Sequence, residues 1–164
     1  MAREKIARGK ERVVEYSPEQ WDLLKNLRNR AKEISEIFYK NRIGTLTYGS
    51  IARGNVKPTS DIDIVLTRSI PSYRMDLLLE KNSMVPIGRK LVQATPNDVI
   101  KVNYQFEGEV CVSLVLTDYK RLAYEFYKFG GAVTHQDILE GKRVPGVDKR
   151  LILIEPTNTG HKER

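Results

Sequence analysis

The sequence predicts an α+β domain in which a mixed sheet is flanked by helices, and three observations point to it. Apolar residues recur every three or four positions from Trp21 to Phe38, which is the spacing of an amphipathic helix. Alternation of apolar and polar residues over 100–107 and 109–116 predicts a β-hairpin. The segments follow one another as α-β-α, then strands, then α-β, an order that suits a mixed sheet.

Length and composition indicate a single soluble domain. The chain has 164 residues, of which 40% are hydrophobic and 30% charged, so we expect residues 1–164 to form one domain. No apolar run approaches the ~20 residues of a membrane span, and no signal-peptide pattern is present, so we expect a cytoplasmic protein with no membrane partner. Cys111 is the single cysteine, which excludes an internal disulfide.

The charge balance favours a polyanionic partner. The net charge is +7 and the pI is near 9.5, which suits nucleic acid or nucleotide phosphates. A heat-adapted protein has a similar content of Lys, Arg and Glu, so the inference from charge has an alternative. A basic cluster near the C-terminus also has two interpretations: it contacts a nucleic-acid backbone, or it is solvated. The cluster consists of Lys142, Arg143, Lys149 and Arg150.

The N-terminal quarter is predicted to contain a basic arm, a long helix and a strand. The arm, residues 1–16, carries five Lys or Arg residues and either contacts nucleic acid or is a solvated terminus. Ser17 and Pro18 form a strong helix start, and the helix runs to about Lys40. Residues 43–48 follow as the first strand.

The later elements are predicted from periodicity and from turn residues. In chain order they are a helix over 73–82, a strand over 89–94, the hairpin, a helix over 118–129, a short helix over 134–141, a loop over 143–148 and a last strand over 151–154. Gly130 and Gly131 stop the helix that precedes them. The segment 156–164 is predicted to be a polar, frayed tail.

The segment from Tyr48 to Leu66 carries the chemistry. It reads as a strand, a tight Gly-Ser turn that opens a short helix, a loop and a second strand. Asp61 and Asp63 are two residues apart in that strand, so both carboxylates project from one face and repel unless a cation lies between them. An oxygen-preferring ion such as Mg²⁺ suits this pair. Gly49 and Ser50 begin a helix whose free N–H groups favour a phosphate. A solvated acidic turn is the structural alternative.

The arrangement resembles the signature of the DNA polymerase β-like nucleotidyltransferase superfamily. Gly49-Ser50, ten further residues and then Asp61-Ile62-Asp63 reproduce the GS-x10-DxD motif, and the spacing is most similar to the minimal nucleotidyltransferases of archaea and bacteria. Arg53-Gly54 and Ser60 also match the pattern. The resemblance implies the polymerase β-like nucleotidyltransferase fold for the predicted mixed sheet and helices.

The resemblance also implies roles for individual residues. Asp61 and Asp63 are expected to be catalytic and to bind Mg²⁺, or Mn²⁺, while Gly49 and Ser50 hold the β- and γ-phosphates of a nucleoside triphosphate. The residues expected to contact phosphate or nucleotide are Gly49, Ser50, Arg53, Ser60 and Lys57. For Lys57 the alternative is a solvated loop lysine.

Enzymes of this superfamily use a third Asp or Glu on a neighbouring strand, and the predicted strand 109–117 is where that residue belongs. Carrying the resemblance along this strand without a gap places Ser113 at the position, and serine cannot supply an anionic ligand. Glu109 lies on the same face, but four residues earlier, or roughly 13 Å along the strand. Glu109 replaces the acid only if the register differs, and Glu107 on the partner strand is a further candidate.

The resemblance implies an enzyme, a Mg²⁺-dependent nucleotidyltransferase. We expect transfer of a nucleoside monophosphate, with AMP from ATP as the expected case, to a hydroxyl acceptor with release of pyrophosphate. The acceptor is expected to belong to nucleic acid, to a small alcohol or to a protein. Two alternatives stand beside this function: an antitoxin-type protein adenylyltransferase acting on a HEPN-like toxin, and a catalytically weak module that binds nucleotide or RNA.

Overall fold

The computed structural model describes residues 10–117 and 121–164. The elements in chain order are β1 (Arg12–Glu15), α1 (Pro18–Lys40), β2 (Thr45–Tyr48), α2 (Ser50–Arg53), β3 (Ile62–Leu66), α3 (Ser72–Lys81), β4 (Gly88–Val92), β5 (Lys101–Phe106), β6 (Val110–Val115), α4 (Arg121–Phe129), β7 (Ala132–Thr134), α5 (His135–Leu139), β8 (Gly146–Val147), β9 (Leu153–Pro156) and β10 (Gly160–Glu163). The strands form a six-stranded sheet, ordered β4-β5-β6-β3-β2-β7, and a four-stranded sheet, ordered β1-β10-β9-β8. No helix in these ranges is long and apolar enough to cross a membrane.

The six-stranded sheet is mixed, which confirms the predicted α+β class. The interior strand β3 pairs antiparallel with β2 and parallel with β6, with Ile62 opposite Val110. A parallel pair needs a long crossover, and here the chain passes through α3, β4 and β5 before it returns as β6. The predicted hairpin is confirmed as β5 and β6. Strand β6 ends at Val115, one residue before the end of the predicted alternating segment, and Leu116 is exposed.

The predicted long helix is confirmed as α1, and it packs against one face of this sheet. The hydroxyl of Ser17 accepts a hydrogen bond from the backbone N–H of Gln20 at 3.2 Å and caps the helix. The apolar stripe of α1 is buried together with Ile62 and Ile64 of β3. The opposite face of the sheet is covered by α4, whose Tyr127 packs in a second apolar cluster with Val65. Alternation along β3 therefore directs Asp63 to the α4 side.

The four-stranded sheet corrects the expectation of a frayed tail. Residues 160–163 form β10, which lies between β1 and β9, and His161 and Glu163 are buried. Strand β1 comes from the predicted basic arm, of which residues 1–9 lie outside the described residues. The tail was predicted to be frayed because it is polar. Its pairing partner, β1, lies near the other end of the chain, and a polar side chain of the tail bonds to a residue next to β1: the hydroxyl of Tyr16 lies 2.6 Å from Nδ1 of His161.

The loop predicted over 143–148 contains a short strand, β8. The last predicted strand is found as β9, which begins two residues later than predicted. Each of these segments is short, and a two-residue strand leaves no periodicity to detect. The helix predicted over 118–129 is α4, but residues 118–120 lie outside the described residues.

Candidate active site

The turn between β2 and α2 is built around Gly49. Its φ of +84° lies in the left-handed region that favours glycine, and its backbone N–H donates to the carbonyl of Gly131 at 3.0 Å. A Cβ placed on Gly49 would meet no heavy atom within 4 Å, so the space in front of this backbone is open. Ser50 follows as the first residue of α2 and is half-buried. The turn therefore leaves room for a ligand to approach the main chain closely.

Asp61 and Asp63 lie beside this turn, at the start of β3. Asp61 is exposed and directly precedes the strand, and Asp63 is half-buried within it, while Ile62 and Ile64 are buried on the other face. Burial raises the pKa of Asp63, and the charge of Asp61 raises the pKa further. The structure thus brings the two carboxylates close enough for the charge of Asp61 to act on Asp63, and a cation between them would relieve this repulsion.

Two neighbouring strands flank Asp63 in the sheet. Tyr48 of β2 lies opposite Asp63 on one side, and Cys111 of β6 lies opposite it on the other. The rings of Tyr48 and Tyr127 are 4.7 Å apart between centroids, and Nζ of Lys101 donates to the hydroxyl of Tyr127 at 3.1 Å. Two tyrosines and a lysine, Tyr48, Tyr127 and Lys101, are therefore next to Asp63 on the α4 side of the sheet.

The register of β6 bears on the third carboxylate. Ser113 lies opposite Val65, two residues beyond Asp63; it is 2% exposed, and its hydroxyl donates to Oδ1 of Asn103 at 2.8 Å. The residue opposite Asp63 is Cys111, and burial raises the pKa of its thiol. The structure therefore places Ser113 beside the apolar Val65 and not beside the acidic pair.

The two glutamates considered for this role lie at the hairpin turn. Glu109 has a φ of +57°, its side chain is exposed, and its carbonyl accepts the N–H of Ile62 at 2.9 Å. Glu107 is also an exposed turn residue. Within 10–117 and 121–164, no group of three or more His, Cys, Asp or Glu side chains could hold a metal ion. The described part of the site therefore contains two carboxylates.

The other predicted phosphate-binding residues have structural partners. Arg53 is 7% exposed, and its Nη1 donates to the carbonyl of Gly130 at 2.5 Å while its Nε donates to Oδ1 of Asn55 at 3.0 Å. Burial lowers the pKa of this guanidinium. The hydroxyl of Ser60 accepts the backbone N–H of Lys57 at 2.8 Å and closes a turn, while Lys57 itself is exposed. The contacts of Arg53 join α2 to the loop after α4.

Sequence reasoning missed one buried residue that supports the site. Arg28 of α1 is 8% exposed and donates to the carbonyls of Ile51 at 3.0 Å and Ala52 at 3.2 Å, so it connects α1 to α2. Burial lowers the pKa of Arg28 to about 10. The available signal was its spacing, because Arg28 lies four residues after Leu24 and three before Ala31 on the apolar stripe.

The loop after α4 was also given too small a role. Gly130 and Gly131 were predicted only to stop a helix. In the structure the carbonyl of Gly131 accepts the N–H of Gly49, and the carbonyl of Gly130 accepts a hydrogen bond from the guanidinium of Arg53. The sequence contained no signal for this contact, because the two loops are about 80 residues apart in the chain.

The register leads to a prediction about Cys111→Asp. A carboxylate opposite Asp63 would add a third charge to the pair, so we expect a higher Mg²⁺ affinity and, without Mg²⁺, a lower melting temperature. Ser113→Asp is the matched control, because it buries a carboxylate beside Asn103 and away from the pair. We expect it to cost on the order of 3 kcal/mol of stability whether or not Mg²⁺ is present. Thermal melts with Mg²⁺ and with EDTA make the comparison. If Mg²⁺ raised the melting temperature of Ser113→Asp but not that of Cys111→Asp, the register would be contradicted.

The central part of the chain matches a known protein family. The family described as a nucleotidyltransferase domain matches residues 24–124, which is more than half of the chain. The matched segment contains the turn at Gly49 and the pair Asp61 and Asp63, and it ends within α4, so the four-stranded sheet lies outside it. A comparison with curated proteins found no match.

Proposed function

The chain belongs to the nucleotidyltransferase domain family, within the polymerase β-like superfamily, and on that premise we propose that it is a Mg²⁺-dependent nucleotidyltransferase. It moves a nucleoside monophosphate from a nucleoside triphosphate to a hydroxyl acceptor and releases pyrophosphate. The observation that carries the proposal is the position of Asp61 and Asp63 at the start of β3, beside the open turn at Gly49.

The donor set fits a divalent cation. Asp61 and Asp63 offer carboxylate oxygens, the ligands that Mg²⁺ and Mn²⁺ prefer. Burial, and after it the charge of Asp61, raises the pKa of Asp63, and a cation would offset both effects. These two residues would hold Mg²⁺, or Mn²⁺, and the ion would neutralise charge on the phosphates of the nucleotide. Since the pair supplies only two carboxylates, phosphate oxygens of the substrate complete the set of ligands in this proposal.

The turn at Gly49 is proposed to hold the β- and γ-phosphates. Because the N–H of Gly49 is engaged by Gly131, the groups available to a phosphate are the first N–H groups of α2 and the hydroxyl of Ser50. The open space at Gly49 allows phosphate oxygens to reach this backbone. In this account Arg53 acts as a positioning residue, since its guanidinium holds the loop at Gly130.

The chain's contribution to the reaction is mostly positioning. Tyr48, Tyr127 and Lys101 lie on the side of the sheet to which Asp63 points, and Asp63 is half-buried there, where charges interact more strongly than in water. We propose ATP as the donor. The net charge of +7 supports an acceptor hydroxyl on nucleic acid ahead of one on a protein.

Release of pyrophosphate tests the function. The purified protein is incubated with labelled nucleoside triphosphates, Mg²⁺ and acceptors of the nucleic-acid, small-alcohol and protein classes, and Asp61→Asn serves as the control. We expect pyrophosphate from the wild type with at least one acceptor, and none above background from the control. A protein that binds Mg²⁺·ATP but releases no pyrophosphate with any of these acceptors would be a nucleotide-binding module.

A further inference from the structure

The carbonyl end of α2 is held by donors from distant parts of the chain. Helix α2 has four residues, and the N–H of its C-cap, Gly54, donates to the carbonyl of Ser50 at 2.7 Å. The carbonyl of Ile51 accepts a hydrogen bond from Nε of Arg28 at 3.0 Å, and that of Ala52 accepts one from Nη2 of Arg28 at 3.2 Å. A helix this short is not stable by itself, so its position in the fold depends on such outside contacts.

Residues 142–144, which lead into the four-stranded sheet, take part in the same arrangement. Nη1 of Arg28 donates to the carbonyl of Lys142 at 2.7 Å. The backbone N–H of Val144 donates to the carbonyl of Ala52 at 3.1 Å. Arg28 therefore joins α1, α2 and a segment that lies outside the matched family segment, which ends at residue 124.

Arg143 anchors this segment in turn. Its guanidinium donates to the carbonyls of Thr157 and Gly160, the latter at 3.0 Å, in the turn between β9 and β10. The same guanidinium lies 5.0 Å from the ring centroid of Trp21 in α1. A Cβ on Gly54 would lie 2.7 Å from Cδ of Arg143, so this side chain packs directly on the residue that ends α2. The segment that holds α2 is thus itself fixed to α1 and to the four-stranded sheet.

Arg28 is an unfavourable residue for its position unless its contacts are needed. It lies on the apolar stripe of α1, it is 8% exposed, and its hydrogen bonds go to three main-chain carbonyls. Burying a guanidinium costs free energy that bonds to uncharged groups offset only in part. The three bonds hold two carbonyls of α2 and one of residue 142 in a single geometry, and this geometry explains the arginine.

The held end of α2 determines where the turn at Gly49 lies. The carbonyl of Gly49 accepts the N–H of Ala52 at 3.0 Å and that of Arg53 at 3.2 Å. Gly49 and Ala52 are therefore bonded within one turn of helix, whose pitch is about 5.4 Å. A shift of Ala52 would move Gly49 and Ser50 with it.

We propose that Arg28 is a positioning residue of the phosphate site. It holds the carbonyl end of α2 against residues 142–144, and the turn at Gly49 thereby keeps a fixed place relative to Asp61 and Asp63. The inference rests on the proposed function of that site. Arg28 acts through α2 and not by contact with the nucleotide, so its loss displaces the groups that hold the β- and γ-phosphates without removing any of them.

Arg28→Met tests the proposal, because methionine has a long unbranched side chain but no donor. We expect its affinity for Mg²⁺·ATP, measured by calorimetry, to fall about tenfold, the usual loss for one hydrogen bond to a charged group. In the pyrophosphate assay the KM for ATP should rise by a similar factor, with a smaller change in kcat. Arg28→Lys keeps the charge and one donor group, so we expect an intermediate loss.

Two control variants separate positioning from lost stability. Arg30→Met makes the same change at an exposed position of α1 and should bind Mg²⁺·ATP like the wild type. Leu79→Ala truncates a side chain of α3 that is 2% exposed, so it should lower the melting temperature. Because Leu79 makes none of the described hydrogen bonds to α2, we expect its variant to keep the affinity for Mg²⁺·ATP.

Hydrogen exchange at the amides of Ala52, Arg53 and Gly54 measures the mobility of α2 without nucleotide. We expect faster exchange in Arg28→Met than in Leu79→Ala. If Arg28→Met does not fold, Arg28→Lys takes its place in both comparisons.

An arginine variant that binds Mg²⁺·ATP as tightly as Leu79→Ala, or whose α2 amides exchange no faster, would overturn this proposal alone. A wild type that binds no Mg²⁺·ATP would instead refute the proposed function, and this inference with it.

Discussion

Asp63→Asn is expected to lower nucleotidyl transfer at least about a hundredfold, the usual effect of removing a central electrostatic group from an active site. An amide at this position cannot supply the second anionic oxygen ligand, and Asp61 would remain as a single carboxylate. Mg²⁺-dependent binding of ATP should be lost together with transfer. Pyrophosphate release and calorimetry on the same preparation separate the loss of binding from the loss of chemistry.

The same substitution is expected to make the protein more stable in EDTA. The pKa of Asp63 is raised in the folded protein, so between its unfolded and folded pKa values the folded state binds more protons. Stability therefore falls as pH rises through that window, and at neutral pH the ionised Asp63 destabilises the folded protein by its full amount. An asparagine does not ionise, so the variant lacks this destabilisation.

Thermal melts from acidic to neutral pH check this, with Asp22→Asn, an exposed change on α1, as the control. Asp63→Asn should melt higher than the wild type at pH 7 in EDTA, and the two should converge below the ordinary pKa of an aspartate. A lower melting temperature of Asp63→Asn at pH 7 would show that Asp63 is compensated by other groups.

Gly146→Ala is expected to cost about 1–3 kcal/mol of stability, the usual price of forcing atoms into a packed interior. Its Cβ would lie 2.4 Å from the carbonyl carbon and 2.5 Å from the carbonyl oxygen of Gly130, and these are backbone atoms that cannot rotate away. Movement of this loop would also displace Gly131 from Gly49, so the affinity for Mg²⁺·ATP should fall as well.

Gly88→Ala is the matched control, because its Cβ would meet only the side-chain oxygen of Gln105, at the ordinary distance of 3.4 Å. Denaturant unfolding and calorimetry compare the two variants. A Gly146→Ala protein that is destabilised but binds Mg²⁺·ATP like Gly88→Ala would mean that the loop after α4 does not control the phosphate turn.

Local patterns made much of the fold predictable. The spacing of apolar residues in α1, the alternation in β5 and β6, and the turn chemistry at Gly49 are all written within a few residues of one another. The burial of Ile62 and Ile64 on the face opposite Asp63 follows from the two-residue period of a strand, which holds for any register. These predictions needed no knowledge of which distant segments pair.

The remaining features depended on long-range pairing. The residue opposite Asp63 is set by the parallel register of β3 with β6. The resemblance, carried along the predicted strand without a gap, pointed to Ser113, whereas the residue opposite Asp63 is Cys111 and Ser113 lies opposite Val65. Strand β10 was missed for the same reason, since its partner β1 lies at the other end of the chain. The hydrogen bond from Arg53 to Gly130 likewise joins loops that no local pattern relates.

The central claim is that Asp61, Asp63 and the turn at Gly49 together bind a metal–triphosphate complex. Calorimetric titration of the wild-type protein with ATP, once with Mg²⁺ and once with EDTA, tests it most directly. We predict that Mg²⁺ and ATP bind interdependently, with clear heat of binding only when both are present, because phosphate oxygens supply ligands that two aspartates lack. Equal affinity for ATP in Mg²⁺ and in EDTA would contradict the claim.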